Sequence, residues 1–572
     1  MEPVFSLNRI SFSSGNTIEL SPGDILVIVG PNNSGKSSAL REIKKGCSNE
    51  PVGPVIKLCK PYKSDNLDNV SHWLKKNTLL RNDHYYWVNA SINEANLQQQ
   101  WMRSPSNVAN FFVTLADTEN RLQIGKPQAT HTVGGPPSHP FHVLFEDEEK
   151  DKQLSQYFND AFGTDLILNR VAGNQVRLHC GDRTKVGGGL DMTIRTALTT
   201  LKDMPMLHDQ GDGMRSFVGA LLNLLTSPGS IHLIDEPEAF LHPPQARVLG
   251  KIIAEIASEE KNSKQIIIST HSSDFLQGVT DVYPEKLKVA RLTRINDKNY
   301  IKILEKSDLQ KLWSDPVLKF SNTLDALFHE ACIICEYDAD CRFYLAVAQA
   351  MGLEKNGPDV MYLGSGGTSG IARVAAALNG IGVPTITISD FDTLNSKHPL
   401  SDIIISLGSN WDELEIHWNK LKTEIDMAKV PLTVSQIKSS INKILDNEVS
   451  IYLSSAAAEK IRQSVRSVSP WEQTKQTGTA TLKGGTLTLA ENLLSELVHR
   501  GVFIVPVGEL EGFVPEFSTG NIKGSKWVAR VLRDISDLST DRRLREAREF
   551  MDKVYQALSD KVSTQHAISY LH

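Results

Sequence analysis

Three groups of residues in this chain are suited, by side chain and by separation, to holding phosphate or divalent ions. The first is the run Gly30, Pro31, Asn32, Asn33, Ser34, Gly35, Lys36, Ser37 and Ser38, which follows the apolar stretch ILVIV and precedes a helix-like segment. It fits G-x-x-x-x-G-K-[ST] in the strand–loop–helix setting that pattern requires. Glycines let successive backbone N–H groups turn inward around phosphate oxygens, and the helix start adds partial positive charge. Lys36 supplies a point charge for β/γ-phosphates, and Ser37 a hydroxyl for Mg²⁺. The predicted occupant is ATP with Mg²⁺.

The second group completes such a site. In IHLIDEPEAFLHP, Asp235 ends an apolar run and is placed to hold the Mg²⁺ shell, with Glu236 beside it to polarise water. His271, in STHSSDFL at the end of the next apolar run, is placed to touch a γ-phosphate. In GDGMRSF, Gly213 and Ser216 stand at the start of a helical pattern that again exposes backbone N–H groups.

The third group lies downstream. Glu336 follows the buried-strand pattern ACIIC, with Asp338 and Asp340 close behind; Asp390 and Asp392 flank Phe391; Glu509 and Glu511 repeat that spacing in GELEG. Alternate strand residues share a side, so paired acids two apart can share one ion. Acids gathered at the carboxyl ends of parallel strands repel one another unless cations bind there, and such ends are where ligands sit in open α/β sheets. An all-oxygen site suits Mg²⁺ or Mn²⁺.

These groups need α/β elements to position them. Strand–helix alternation covers residues 3–47, 211–310 and 328–395, which predicts α/β units with parallel sheets. SFSSGNTIEL and DLILNRVAGNQVRLHCGD read as hairpins; residues 50–200 are otherwise poorly patterned; residues 400–500 are polar and helical. The predicted domains are 1–325, with an insertion over about 50–200; 326–535, with a helical insertion over about 400–500; and a helical tail, 536–572. With 572 residues and a net charge of −6, the chain is no polycation, so contact with nucleic acid needs a local basic face or bridging metal ions. The N-terminus has no secretory pattern and no apolar run is long enough to cross a bilayer, so the expected location is the cytoplasm, with no membrane partner. The six scattered cysteines fit a reducing compartment, and the C-x-x-C of Cys332 and Cys335 reads as core thiols.

The first two groups, with DEPEAFLHP resembling a Walker B and D-loop, resemble the ABC-type ATPase heads of the SMC/Rad50-like group. That resemblance implies self-association in which Ser216 and its neighbours cap nucleotide held on the Gly30–Ser37 loop of another copy. The long coiled-coil arms of those proteins are missing, which excludes a DNA-tethering rod. The order Glu…Asp-x-Asp, with GSGGTSGIARVAAAL between, resembles a TOPRIM domain. Head and TOPRIM in this order resemble the OLD (overcoming lysogenization defect) family of nucleases, found in Gabija and retron anti-phage systems. The resemblance implies Glu336 and Asp340 as one part of a metal site, Asp390 and Asp392 as another, Glu509 or Glu511 on a second ion, and Lys526 near a scissile phosphate. It implies DNA as substrate and a reverse transcriptase with its RNA/DNA product, or a helicase-like protein, as partner. Tyr337 departs from the family's glycine at that position. Two alternatives stay open: a nuclease of tRNA or other RNA, and a non-cutting ATP-driven sensor or scaffold.

Overall fold

A computed structural model describes residues 5–64, 67–103, 105–130, 135–171, 173–186, 199–259, 263–282, 285–315, 318, 322–428, 434–447, 452–465, 470–518 and 522–568. The chain forms two compact units, residues 1–305 and 306–572.

The first unit is built on a six-stranded sheet in the order Lys298–Ile303, Leu287–Ile295, Ile25–Val29, Gln265–Ser269, Ile231–Asp235, Val113–Ala116. The last five run parallel, and Lys298–Ile303 pairs antiparallel at one edge. The three central strands read ILVIV, QIIIS and IHLID and are buried along their whole length. β-branched, two-sided apolar runs are what a parallel sheet covered on both faces demands. Register sets Asp235 beside Ser269, and Ser269 beside Ile28. The carboxyl ends of three strands distant in sequence therefore lie side by side.

The expected hairpins form: Phe5–Phe12 pairs with Thr17–Glu19, and Asp165–Asn169 with Gln175–Gly181. Gly15 takes a φ of +100° in the first turn, where a side chain would be strained. The poorly patterned region contributes what its sequence did not announce. Four residues, Val113–Ala116, extend the main sheet by pairing with Ile231–Asp235.

The second unit has a four-stranded parallel sheet ordered Val360–Gly364, Ala331–Cys335, Thr385–Ser389, Val502–Ile504. Helices Asp338–Met351 and Thr368–Gly380 follow the first two strands of the chain order. Between the third and fourth strands lies the helical insertion, from Lys397–Ser406 to Gly484–His499. The core of the second unit includes Phe343, Phe503, Phe513, Trp527 and Phe550. All six cysteines are free and buried. Among the described residues no helix is long and apolar enough to cross a membrane.

Candidate functional site

The phosphate-type loop caps the strand Ile25–Val29 and enters the helix Lys36–Cys47. Gly30 has a φ of +146°, and a Cβ there would lie 2.1 Å from the Leu292 carbonyl oxygen, so only glycine fits. Asn299, from the edge strand, donates through Nδ2 to the Ser34 carbonyl at 2.6 Å and braces the loop. Lys36 is buried, and its Nζ donates to the Gly30 and Pro31 carbonyls, both at 2.7 Å. Burial pushes its pKa down to about 8, against the pull of Glu236, Glu238 and Asp235. An ammonium held this way over a turn that excludes Cβ atoms suits a phosphate, which would supply the counter-charge that carbonyls supply only in part. Lys36→Ala is expected to weaken ATP binding by about 10–100-fold, since a hydrogen bond to a charged group contributes about 1.5–3 kcal/mol; equilibrium dialysis with labelled ATP checks it.

Asp235 is buried and accepts from the Ser269 hydroxyl. Glu236 has a φ of +47°, uncommon for a non-glycine residue and costly unless its surroundings impose it. Its Oε1 lies 3.1 Å from His271 Nε2. That hydrogen bond from His271, then the charges of His271 and Lys36, hold the Glu236 carboxyl below its ordinary range against the effect of burial. Glu238, unremarked in the sequence, accepts from the Thr270 hydroxyl at 2.8 Å and the His271 N–H at 2.7 Å, which sets the backbone carrying that histidine.

The Glu236 backbone donates its N–H to the Ser269 carbonyl at 2.9 Å and accepts the Ala239 N–H at 2.9 Å, and its carbonyl is also held by Arg121, which no local pattern marks. Fully buried, it donates from Nη1 to the Ala116 carbonyl at 2.9 Å and to the Asp235 carbonyl, from Nη2 to the Glu236 carbonyl at 2.8 Å, and from Nε to Ser216 Oγ at 3.0 Å. One guanidinium thus ties the acid pair to the helix Asp212–Thr226. Ser216 is wholly buried in this contact. What the start of that helix presents to solvent is Gly211 and Asp212. Gly213 packs where a Cβ would meet the Phe240 carbonyl oxygen at 2.7 Å, and Phe240 itself is 54% exposed with a φ of +70°.

In the second unit, the carboxyl edge of the parallel sheet gathers acids. Glu336 is buried at the end of Ala331–Cys335, and its Oε1 accepts the Asp390 N–H at 3.0 Å across 54 residues. Asp340 closes its own helix start by accepting the Tyr337 N–H at 2.9 Å. Burial, followed by the charges of Glu336, Asp340 and Asp392, pushes the Asp390 carboxyl up to about 9. Burial and the charges of Glu336 and Glu511 push Asp340 up to about 6. Burial also raises Glu336, against hydrogen bonds from the Asp390 N–H and Thr368. Glu511 is buried and accepts the Gly524 N–H at 2.6 Å.

Two lysines meet this edge. Lys475 Nζ lies 2.6 Å from Asp392 Oδ2, and Lys523 Nζ 2.5 Å from Glu509 Oε1. Lys475 comes from the helical insertion and carried no sequence signal. Lys526 is exposed in the first turn of Ser525–Asp534, with no ion pair among the described residues; its neighbour Trp527 turns into the core beside Phe343. Among the described residues no three acidic, histidine or cysteine side chains already stand at the spacing of a metal's ligand shell. The donor set nonetheless fits a hard divalent cation. It is all oxygen, buried at Glu336, Glu509 and Glu511 and half-buried at Asp340, Asp390 and Asp392, and crowded with like charge, and that crowding is what such an ion relieves.

A stability dependence follows. Asp340 and Asp390 bind protons more tightly folded than unfolded, so their contribution is fully present below about pH 4 and is lost as pH rises through about 6 and then about 9. In EDTA the second unit is expected to melt lower at pH 8 than at pH 5, with Mg²⁺ or Mn²⁺ narrowing the gap; calorimetry at both pH values checks it.

Residues 180–276 match the family model described as "AAA domain, putative AbiEii toxin, Type IV TA system", so the first unit carries an ATPase-type α/β domain. The chain is also similar to the OLD nuclease of Thermus scotoductus (strain ATCC 700910 / SA-01), 26% identical over 169 residues, which is 28% of this chain and 30% of that one. The chain thus matches about a third of the length of that curated relative. Among solved structures, the Smc head domain derived from Pyrococcus furiosus aligns at 11% identity and a TM-score of 0.32, covering 55% of this chain and 99% of that one. The SMC head domain from Thermotoga maritima aligns at 13% and 0.28, covering 53% and 98%.

Proposed function

We propose that this protein is an ATP-binding and ATP-hydrolysing, divalent-metal-dependent endonuclease of the OLD kind. In this reading an ABC-type head, about residues 1–325, drives a TOPRIM nuclease domain, about 326–535, with a helical tail over 536–572, and the substrate is DNA in anti-phage defence. The observation that carries it is the hydrogen bond between Glu336 and the Asp390 N–H, which brings two sequence-distant acids together at a strand-end edge shared with Asp340, Asp392, Glu509 and Glu511. The OLD nuclease similarity adds to it.

Glu336, Asp340, Asp390 and Asp392 would hold one Mg²⁺ or Mn²⁺, with Glu509 or Glu511 on a second. Bound there, the ions supply Lewis acidity for an in-line displacement at phosphorus. Lys475 and Lys523 fix the orientation of Asp392 and Glu509 and add positive charge where the phosphodiester's charge must be met. Tyr337, 57% exposed beside the edge, narrows the approach where a glycine would leave it open. In the head, Lys36 and the loop N–H groups bind the phosphates. Asp235 and Ser37 hold Mg²⁺, and Glu236 orients water once its pairing with His271 is given up. Self-association of heads would use the exposed corner of Gly211, Asp212 and Phe240, with Ser216 acting from inside through Arg121.

The test is incubation of the purified chain with supercoiled plasmid and with total tRNA, each with ATP and Mg²⁺, Mn²⁺ or EDTA. Nicking or linearisation of plasmid, abolished by EDTA, is the expected result. Loss of tRNA alone would move the substrate to RNA. Both substrates intact with each metal would favour the ATP-driven sensor.

A further inference from the structure

The first unit contains a cavity of about 990 Å³ that the nucleotide and acid sites do not use. Its chemistry is one-sided. Lys44 and Arg81 line it with Asn110, Gln123, Tyr86 and Trp87, and no lining residue is acidic in a chain that has 67 Asp and Glu. Among the described residues, the side chains of Lys44, Arg81, Asn110 and Gln123 have no hydrogen-bond or ion-pair partner. Two unpaired cations, two amides with free donors and acceptors, and the half-buried ring of Tyr86 are the complement of a phosphate joined to a planar, hydrogen-bonding ring. The volume is ample for one such molecule.

The walls make the cavity more than a gap. Val113, Thr114 and Leu115 come from the strand that pairs with Ile231–Asp235. Lys44 is in the last turn of the helix that starts at Lys36. Gln123 is on the helix Thr118–Ile124, whose other face carries Arg121 to the Asp235 and Glu236 carbonyls and to Ser216. A molecule pressing on Gln123 therefore presses on the residue that holds Glu236.

We propose that this cavity is a second, regulatory site for a free nucleoside phosphate, separate from the Gly30–Ser37 loop, whose occupancy sets the hydrolytic competence of Glu236 through Arg121. The coupling half rests on the reading of Gly30–Ser37 as an ATP site; the binding half does not.

The experiment uses the full chain carrying Lys36→Ala, which removes Nζ from the loop and leaves the cavity intact. Ribo- and deoxyribonucleoside mono-, di- and triphosphates of each base are titrated by calorimetry, with inorganic phosphate as control. The expected result is saturable binding of at least one nucleoside phosphate, one per chain, weakened about tenfold or more by Lys44→Glu and by Gln123→Trp. Both substitutions fall on side chains outside the core, and melting curves matching the parent verify folding. In the chain with Lys36 restored, that ligand shifts the rate of ATP hydrolysis at least about threefold, and Gln123→Trp removes the shift. No saturable binding to the Lys36→Ala chain, equal binding of inorganic phosphate, or binding indifferent to both cavity substitutions would overturn the proposal. Failure of the Gly30–Ser37 reading shows up separately, as an ATP affinity that Lys36→Ala leaves unchanged.

Discussion

Asp390→Asn is expected to abolish metal-dependent cleavage, by about 10³-fold or more, while making the metal-free chain more stable. Removing one member of a group that acts as a unit removes nearly all the catalysis that the unit supplies. The stability gain has a different origin. Asp390 is a carboxyl that burial and three neighbouring acids drive up to about 9, so at pH 7.5 the folded state either keeps a proton there or tolerates crowded like charge. Asparagine preserves the shape and the backbone N–H that Glu336 accepts, and it removes the charge. A gain of about 1–2 kcal/mol is expected, within the range found when a site optimised for function is relaxed, which is several degrees in melting temperature. ATP binding is untouched. Plasmid cleavage and calorimetry in EDTA read the two effects. Lost cleavage with no gain in stability would mean that Asp390 is not under electrostatic strain. Retained cleavage would remove the acid cluster from the chemistry.

The second large effect is expected at Arg121. Arg121→Lys keeps the charge but replaces a planar fork by a point donor, which cannot serve Ala116, Asp235, Glu236 and Ser216 together. Glu236 sits at a φ uncommon for an L-residue, and without the guanidinium its carbonyl keeps only the Ala239 N–H, so its backbone and carboxylate are expected to shift. A displacement of about 1 Å costs about 10²-fold in rate, and ATP hydrolysis is expected to fall by that much, with ATP affinity within about threefold of the parent because the Gly30–Ser37 loop is braced by Asn299 instead. Phosphate release against ATP concentration separates rate from affinity. Arg121→Ala would strip a hydrogen bond from four acceptors, of which the Glu236 carbonyl keeps the Ala239 N–H, and is expected to destabilise the first unit by about 3–5 kcal/mol, so the lysine variant is the informative one. Unchanged hydrolysis in Arg121→Lys would rule out the clamp.

The Gly30–Ser37 loop was legible because its chemistry is contiguous. Phosphate is cradled by successive N–H groups of one turn, so the residues that matter must be neighbours in the chain. The strands were legible for a related reason: a parallel sheet covered on both faces requires uninterrupted apolar runs, and ILVIV, IHLID, QIIIS and ACIIC supply them. Strand ends then flagged Glu336 and Asp390, because a carboxylate directly after a buried strand has few reasons to be there. Lys526 rests on the family resemblance alone, and its helix spends its buried face on Trp527, Val528 and Val531.

Which residues from elsewhere complete each site depends on how distant segments pack. Arg121 lies 95 residues from Ser216 and 114 from Asp235; Lys475 lies 83 from Asp392. A side chain whose partners are backbone carbonyls or a distant carboxylate leaves no pattern, because nothing about a carbonyl is written in residue type. The strand Val113–Ala116 is silent for the same reason: four residues are too few to show a period, and they become a strand by pairing with Ile231–Asp235. Contiguous motifs carry the chemistry that neighbours in the chain can propose, and the packing of distant segments sets how those residues are braced.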